Sequence, residues 1–283
     1  MADVLMGVTE TNSTAIDVIS SRVQEYLQQE SKMLPLVSNF SDLVVPGSKQ
    51  VEIPKSGGFV VNSKSENVSV DAQSITYSTD AIALDQHRVI QWLIEDIASE
   101  QSAVRILEDA LMKAGKDMAR DIDQALINRL EAASASAPDH RVGYANNPTD
   151  TIQEADILNA RKLLQQQYID PMECFLGVSP SQEEAMLKLT NFIRADYYGG
   201  GQPLVSGEIG RVFGVRVIVH NDFEDLKSIM WHPTAAGFAQ QFAPRFQSDL
   251  DLANLGRRYS LDCLYGTQTL DSGVRSVMIG TAA

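Results

Sequence analysis

Between Val51 and Leu84 apolar residues recur at alternate positions in short runs: Val51 with Ile53, Phe59 with Val61, Val68 with Val70, Ile75 with Tyr77 and Ile82 with Leu84. That spacing puts successive side chains on opposite faces of a strand. Between the outer runs lie Pro54, Lys55, Gly57, Gly58 and Lys64, too polar and too broken to be core. Residues 48–90 therefore read as a two-stranded extended loop with an exposed tip. A lone two-stranded ribbon is marginal in water, so something outside the subunit is expected to cover it.

The period then changes. Ile97, Val104, Leu111, Met118 and Ala125 recur every seven residues, with Leu107, Ala114 and Ile122 between them. This predicts one amphipathic helix over 93–133, its stripe carried by Ile97, Val104, Leu111, Met118 and Ile122. On the opposite face Arg105, Asp109, Lys113 and Asp117 stand at i,i+4, where opposite charges pair along a solvated ridge. So long a helix without internal caps is either a coiled coil or a spine crossing the subunit. Gly115 with the small residues Ala114 and Ala119 fits close packing of strands or another helix against the stripe better than a knobs-into-holes dimer, so the spine is preferred.

Ahead of the loop, Ile16, Ile19, Val23, Tyr26 and Leu27 have helical spacing and suggest an N-terminal arm, 1–47, carrying one helix over 14–30. After the spine a small-residue linker, Ala132-Ala133-Ser134-Ala135-Ser136-Ala137-Pro138, runs on through Asn146-Asn147-Pro148. A compact α/β pattern follows. Thr151-Ile152-Gln153-Glu154 has the form of a capping box and opens a helix to about Tyr168. A strand over 174–178 meets Ser179-Pro180-Ser181-Gln182, a second box with Pro at the first helical position. Strands over 215–219 and 228–232 complete a small mixed sheet. From Arg257 the tail alternates again (Tyr259, Leu261, Cys263, Tyr265) and can return to pair with the base of the extended loop.

Composition narrows the function. The 23 basic and 37 acidic residues give a net charge of -14, against a sequence-independent grip on nucleic-acid phosphates, which needs clustered Lys and Arg. The N-terminus lacks the pattern of a secretory signal, no membrane-spanning run appears, and Cys174 and Cys263 lie in apolar stretches that suit buried reduced thiols. The four histidines, His87, His140, His220 and His232, form no i,i+4 pair. His220 and His232 at strand ends suit backbone capping. There is no Gly-x-Ser-x-Gly elbow, and Gly199-Gly200-Gly201 lacks the Gly-Lys-Ser/Thr ending of a phosphate loop. No catalytic site, metal site or cofactor is expected.

The order of parts resembles the major capsid proteins of tailed bacteriophages with the Hong Kong 97-like fold. Val51-Glu52-Ile53-Pro54-Lys55 is similar to the rising strand of that family's extended loop, and Ile75-Thr76-Tyr77 through Ala81-Ile82-Ala83-Leu84-Asp85-Gln86-His87 to its descending strand. Ile94-Glu95-Asp96-Ile97 resembles the start of the spine. Ala195-Asp196-Tyr197-Tyr198-Gly199-Gly200, with Gly207-Glu208-Ile209-Gly210-Arg211-Val212-Phe213-Gly214 and Val215-Arg216-Val217-Ile218-Val219-His220-Asn221, resembles the axial domain.

The resemblance implies an α+β fold with an N-terminal arm (1–47), extended β-loop (48–90), peripheral domain with the spine (91–148 and 246–283) and axial domain (149–245). It implies hexamers and pentamers of this subunit tiling an icosahedral virion capsid that encloses DNA without sequence-specific binding, away from any membrane. Pro54, Lys55, Gly57, Gly58, Phe59 and Lys64 then meet a neighbouring subunit, and Gly199, Gly200 and Gly201 face the capsomer centre. Scaffolding and portal proteins are expected partners, a decoration protein is a further one, and the host cytoplasm is the place before assembly. Some members cross-link a loop lysine to a neighbour's asparagine. Lys55 or Lys64 with Asn254 could do so, although lysines on a polar tip are more simply solvated charge. Two rivals stand beside this reading: the shell of a cellular nanocompartment, and a soluble α/β enzyme with an unrecognised site.

Overall fold

The computed structural model describes residues 31–64, 66, 69, 72–95, 106–136, 140–143, 151–188, 210–225 and 227–280. The expected helix over 14–30, the Val68 and Val70 pair, Ile97, Val104 and Gly199–Gly201 lie outside them.

Three sheets and three α-helices organise the described residues. Strand β1 (Ser38–Asn39) lies parallel to a later strand, and β2 (Gln50–Ser56) and β3 (Tyr77–Ala83) form an antiparallel ribbon from Gln50↔Ala83 to Ser56↔Tyr77. This ribbon is the extended loop's stem. Strand β4 (Gln86–Glu95) follows, then helix α1 (Ile106–Ser136), β5 (Arg141–Val142), α2 (Glu154–Gln166), β6 (Phe175–Val178) and α3 (Pro180–Leu187). The chain continues through β7 (Arg211–Val212), β8 (Val215–Val219), β9 (Lys227–Trp231), β10 (Ala236–Asp251), β11 (Gly256–Thr269) and β12 (Ser276–Gly280).

The strand β4 corrects the expected helix start at Leu93 and the reading of Ile94 and Glu95 as spine. Ile90, Trp92 and Ile94 turn to one side at alternate positions, and the strand pairs with β11 from Gln86↔Tyr265 to Glu95↔Gly256. Cross-strand pairing and the stack of Trp92 on Tyr259 (centroids 5.9 Å apart) outweigh the helical spacing of Leu93 and Ile97. The sequence β1-β10-β11-β4 makes one four-stranded sheet, so the tail does return to the base of the loop.

The spine α1 has 31 residues, about 46 Å at 1.5 Å per residue. Leu111, Ala114, Met118, Ala119, Ile122, Leu126, Ile127 and Leu130 are buried at i,i+3/i+4 spacing, sharing one core with Phe238, Leu261 and Tyr265 of β10 and β11. Ala114 and Ala119 lie in that core with residues of these strands, so of the two expected partners for the small residues, strands or another helix, it is strands that share the core. The solvated ridge is present in the Lys113–Asp109 pair at 2.8 Å.

A six-stranded mixed sheet, β5-β12-β9-β6-β8-β7, carries a second core in which Ile157, Ala160 and Leu164 of α2 meet Leu176, Val178, Met230 and Ile279. Its β5 and β12 come from stretches that the sequence division gives to the peripheral part, and β10 begins in the stretch given to the axial part. The cap of α2 falls at Gln153 rather than Thr151, with Gln153 and Asp156 closing the box. Thr151 is displaced because Ile152 N–H donates to Gln182 Oε1 at 2.8 Å, which fixes the approaching chain before the helix begins. Ser179 caps α3 with Pro180 at its first turn, as expected.

Candidate assembly elements

The stem of the extended loop has an inner face. Val51, Ile53 and Lys55 alternate inward on β2, and Val51 (4 % exposed) sits opposite Ile82 (0 %). Both pack with Leu84 and Ala239, and Phe40, Val44 and Ile53 close over them. The root of the loop is therefore covered by its own subunit, contrary to the expectation of an arm with no cover. The distal part differs. Phe59, Val60 and Val61 are 64, 70 and 96 % exposed, and Ile75 and Tyr77 are 50 and 70 % exposed. A monomer gains nothing by presenting contiguous apolar side chains to water, and such patches mark contact surfaces.

Of the expected loop residues, Gly57, Gly58, Phe59 and Lys64 lie beyond the ribbon on the tip, while Pro54 and Lys55 do not. Pro54 is a ribbon residue opposite Thr79, tolerated because a two-stranded ribbon leaves one edge unpaired. Lys55 is not solvated charge on a tip. Its ammonium pairs with Asp80 and, at 2.6 Å, with Asp271. Burial works against the charge, but the hydrogen bonds to Asp271 and Asp80 outweigh it and hold the Lys55 pKa above the ordinary lysine value. Gln73, unremarked in the sequence, bridges the tip: its side chain accepts from Val60 N at 2.9 Å and donates to Val60 O at 2.5 Å, standing in for a strand partner. A lone glutamine in a loop carries no signal for that.

Of the spine positions, Leu111, Met118 and Ile122 are buried in the first core. Asp123, on the same helix, is also buried. Its carboxylate accepts from Ser31 Oγ (2.5 Å), Lys32 N (2.9 Å) and Met33 N (3.2 Å), and so fixes the point where the N-terminal arm joins the body. Asp121 ties the spine to the four-stranded sheet, accepting from Tyr265 Oη at 2.9 Å and pairing with Arg88 at 2.9 Å.

Each of the four histidines has a structural partner, His140 Nδ1 lying 3.0 Å from Ser276 O. His220 Nδ1 accepts from Asp222 N at 3.2 Å and His232 Nδ1 from Thr234 N at 3.3 Å, both backbone caps at strand ends. His87 lies 3.0 Å from Asp262, which also meets Arg245 at 2.5 Å. Burial would lift the Asp262 carboxyl, but hydrogen bonds from Arg245 and His87 hold it below the usual carboxylate range. Both cysteines are free and buried, their thiols pushed up to about 12 chiefly by burial. Among the described residues, no group of three or more His, Cys, Asp or Glu side chains is placed to hold a metal ion. None of the described helices is long and apolar enough to cross a membrane.

A ribbon leaving a body of two mixed layers, with a long helix beneath a four-stranded sheet, defines the class. Superposition on solved structures identifies it as the Hong Kong 97-like capsid fold. A Mycobacterium phage Che8 structure matches at TM-score 0.71 and 19 % identity, covering 88 % of this chain and 90 % of that one. The capsid of cyanophage P-SCSP1u matches at 0.72 and 15 %, covering 87 % and 86 %. A virus-like particle from Pyrococcus furiosus matches at 0.57 and 10 %, covering 94 % and 99 %. No curated protein matches the sequence. The family described as phage capsid protein matches residues 79–272, and the chain belongs to it. Its role is that of a major capsid subunit, a structural part of the phage head.

Proposed function

We propose that this subunit assembles through its extended loop into hexamers and pentamers that close an icosahedral head around DNA. The observation that carries this is the division of the loop into a root buried on its own subunit and a tip that exposes Phe59, Val60 and Val61. A root so held aims the tip away from the body, and a neighbouring copy supplies the cover. Head-to-tail contact of one patch with a different patch closes rings, and repetition makes modest interfaces sufficient. In this reading Gly57, Gly58, Phe59 and Lys64 meet the neighbour, with Pro54 and Lys55 supporting them from the stem.

The loop (48–90), the spine with the returning strands, and the α/β part (149–245) act as separate units of assembly, with β5 and β12 joining the last by sheet pairing. Gly199–Gly201 face the capsomer centre. The role is non-enzymatic. The charge of -14 keeps the shell from gripping the genome, so DNA is enclosed without sequence-specific contact. Scaffolding and portal proteins assist assembly from the host cytoplasm, and a decoration protein binds the finished shell.

Expression with the scaffold, followed by sedimentation and electron microscopy, tests this. Rings and closed shells are expected, and only monomers or dimers would refute it. Particles filled with one protein cargo and no nucleic acid would favour the nanocompartment reading.

A further inference from the structure

The extended loop is attached to the body at two levels on one face of its stem. Near the base, Val51 and Ile82 are buried against Ala239. Four residues further out on β2, Lys55 meets Asp80 of β3 and Asp271 of the turn Asp271–Gly273. At about 3.4 Å per residue the two levels are roughly 14 Å apart. A ribbon fixed at one level can swivel, whereas one fixed at two keeps a direction.

The outer attachment is built on unusual backbone. Asp271, Ser272 and Gly273 have φ of 49°, 53° and 78°, the left-handed region that L side chains rarely adopt. Gly273 adopts it freely, but two consecutive non-glycine residues there, Asp271 and Ser272, persist only where their surroundings over-determine them. Asp271 N donates to Asp80 Oδ2 at 3.0 Å, and Arg275 Nε approaches Asp271 Oδ2 at 2.5 Å. Arg275 is itself held by Thr234 Oγ1 at 2.5 Å. On the other side, a β-carbon added to Gly273 would stand 2.1 Å from Ala133 O, so the turn lies against the C-terminal end of the spine. One three-residue hook thus touches the two elements that the sequence presents as independent, the loop stem and the spine.

We propose that the hook Asp271–Gly273 is the joint that sets the pitch of the extended loop against the spine, and that Lys55 is the positioning residue that locks it. This rests on the loop being an assembly element. Its consequence is that the Lys55–Asp271 contact controls where the tip lands on a neighbour, and hence whether rings close, without Lys55 touching the neighbour. The hook also gives a route by which a shift of the spine's end moves the loop.

The test uses the full chain with spin labels on Tyr77→Cys, at the outer end of the stem, and Met172→Cys on the body. Both positions are exposed, while native Cys174 and Cys263 are buried, so labels go to the engineered sites. In Lys55→Met we expect the distance distribution to broaden at least twofold and, in unlabelled chains that keep Tyr77 and Met172, the yield of closed shells to fall at least tenfold. Lys55→Arg should restore both. Asp271→Asn serves as a second variant should Lys55→Met fail to fold, because Asn tolerates the left-handed region and the change removes only the charge; it should show the same broadening and the same loss of shells. An unchanged distance distribution in the folded variants overturns the joint. A broadened distribution with wild-type shells overturns its control of closure. Failure of the unmutated chain to form shells refutes the assembly reading itself, and the spin-label distances still decide the joint.

Discussion

Gly266 of β11 faces the carbonyl oxygen of Ala83 so closely that a β-carbon there would stand 2.0 Å from it. Ala83 ends the ribbon of the extended loop, and β11 is a central strand of the four-stranded sheet. The loop therefore crosses the sheet backbone to backbone, with no side chain between. Gly266→Ala must push the ribbon off the sheet, because backbone on both sides cannot rotate away. The expected cost is about 1–3 kcal/mol, the range for overpacking, read from the urea midpoint. An unchanged midpoint would mean that the crossing is loose.

The spine stripe gives a larger effect. Met118 is 1 % exposed in the main core. Met118→Lys places an ammonium there without a partner, costing several kcal/mol against a total stability of about 5–15. Insoluble or unfolded protein is expected, and wild-type-like melting would show that the stripe is not core in solution.

Acid stability should depend on Asp262. Its pKa is lower folded than unfolded, so its contribution is complete above the unfolded carboxylate value and disappears as pH falls through the folded one. Asp262→Asn should cost about 1.5–3 kcal/mol at pH 7, in line with charge-assisted hydrogen bonds. The difference between wild type and variant should shrink below about pH 4. Denaturant titrations at pH 7, 5 and 3 measure it, and a pH-independent difference would exclude the ion pair as its source.

Cys174 and Cys263 should resist alkylation at pH 7.5 in the folded protein, since burial denies access and raises both thiols to about 12. Mass spectrometry after iodoacetamide should find neither modified natively and both modified in guanidinium. Rapid native labelling of Cys263 would mean that the four-stranded sheet opens.

Shortening the extended loop separates folding from assembly. Joining Ser56 to Tyr77, the last ribbon pair, through Asn-Gly gives a two-residue type I′ turn and removes the apolar tip. Melting should stay within a few degrees of wild type, while closed shells fail to form or fall apart on mild heating. Intact shells of normal heat resistance would refute the tip as an interface.

Much of this was legible in the chain. Alternation at Val51, Ile53, Ile82 and Leu84 gave the ribbon, the seven-residue recurrence of Leu111, Met118 and Ala125 gave the spine, and Ser179-Pro180 gave a helix start, because each signal is local and repeats with the period of its element. The order of these parts was enough to recognise the capsid family.

Tertiary structure decided where local signals were ambiguous or silent. Ile90 to Ile97 suit a strand or a helix, and only pairing with β11, more than 160 residues later, makes 86–95 a strand. Lys55 finds Asp271 across the whole body, and no periodicity links positions so far apart. Gly266 and Gly273 are glycines in a strand and a turn until their neighbours, Ala83 and Ala133, are known. Local period fixes what an element is; which elements touch depends on which surfaces exclude water together, and that is a property of the folded chain.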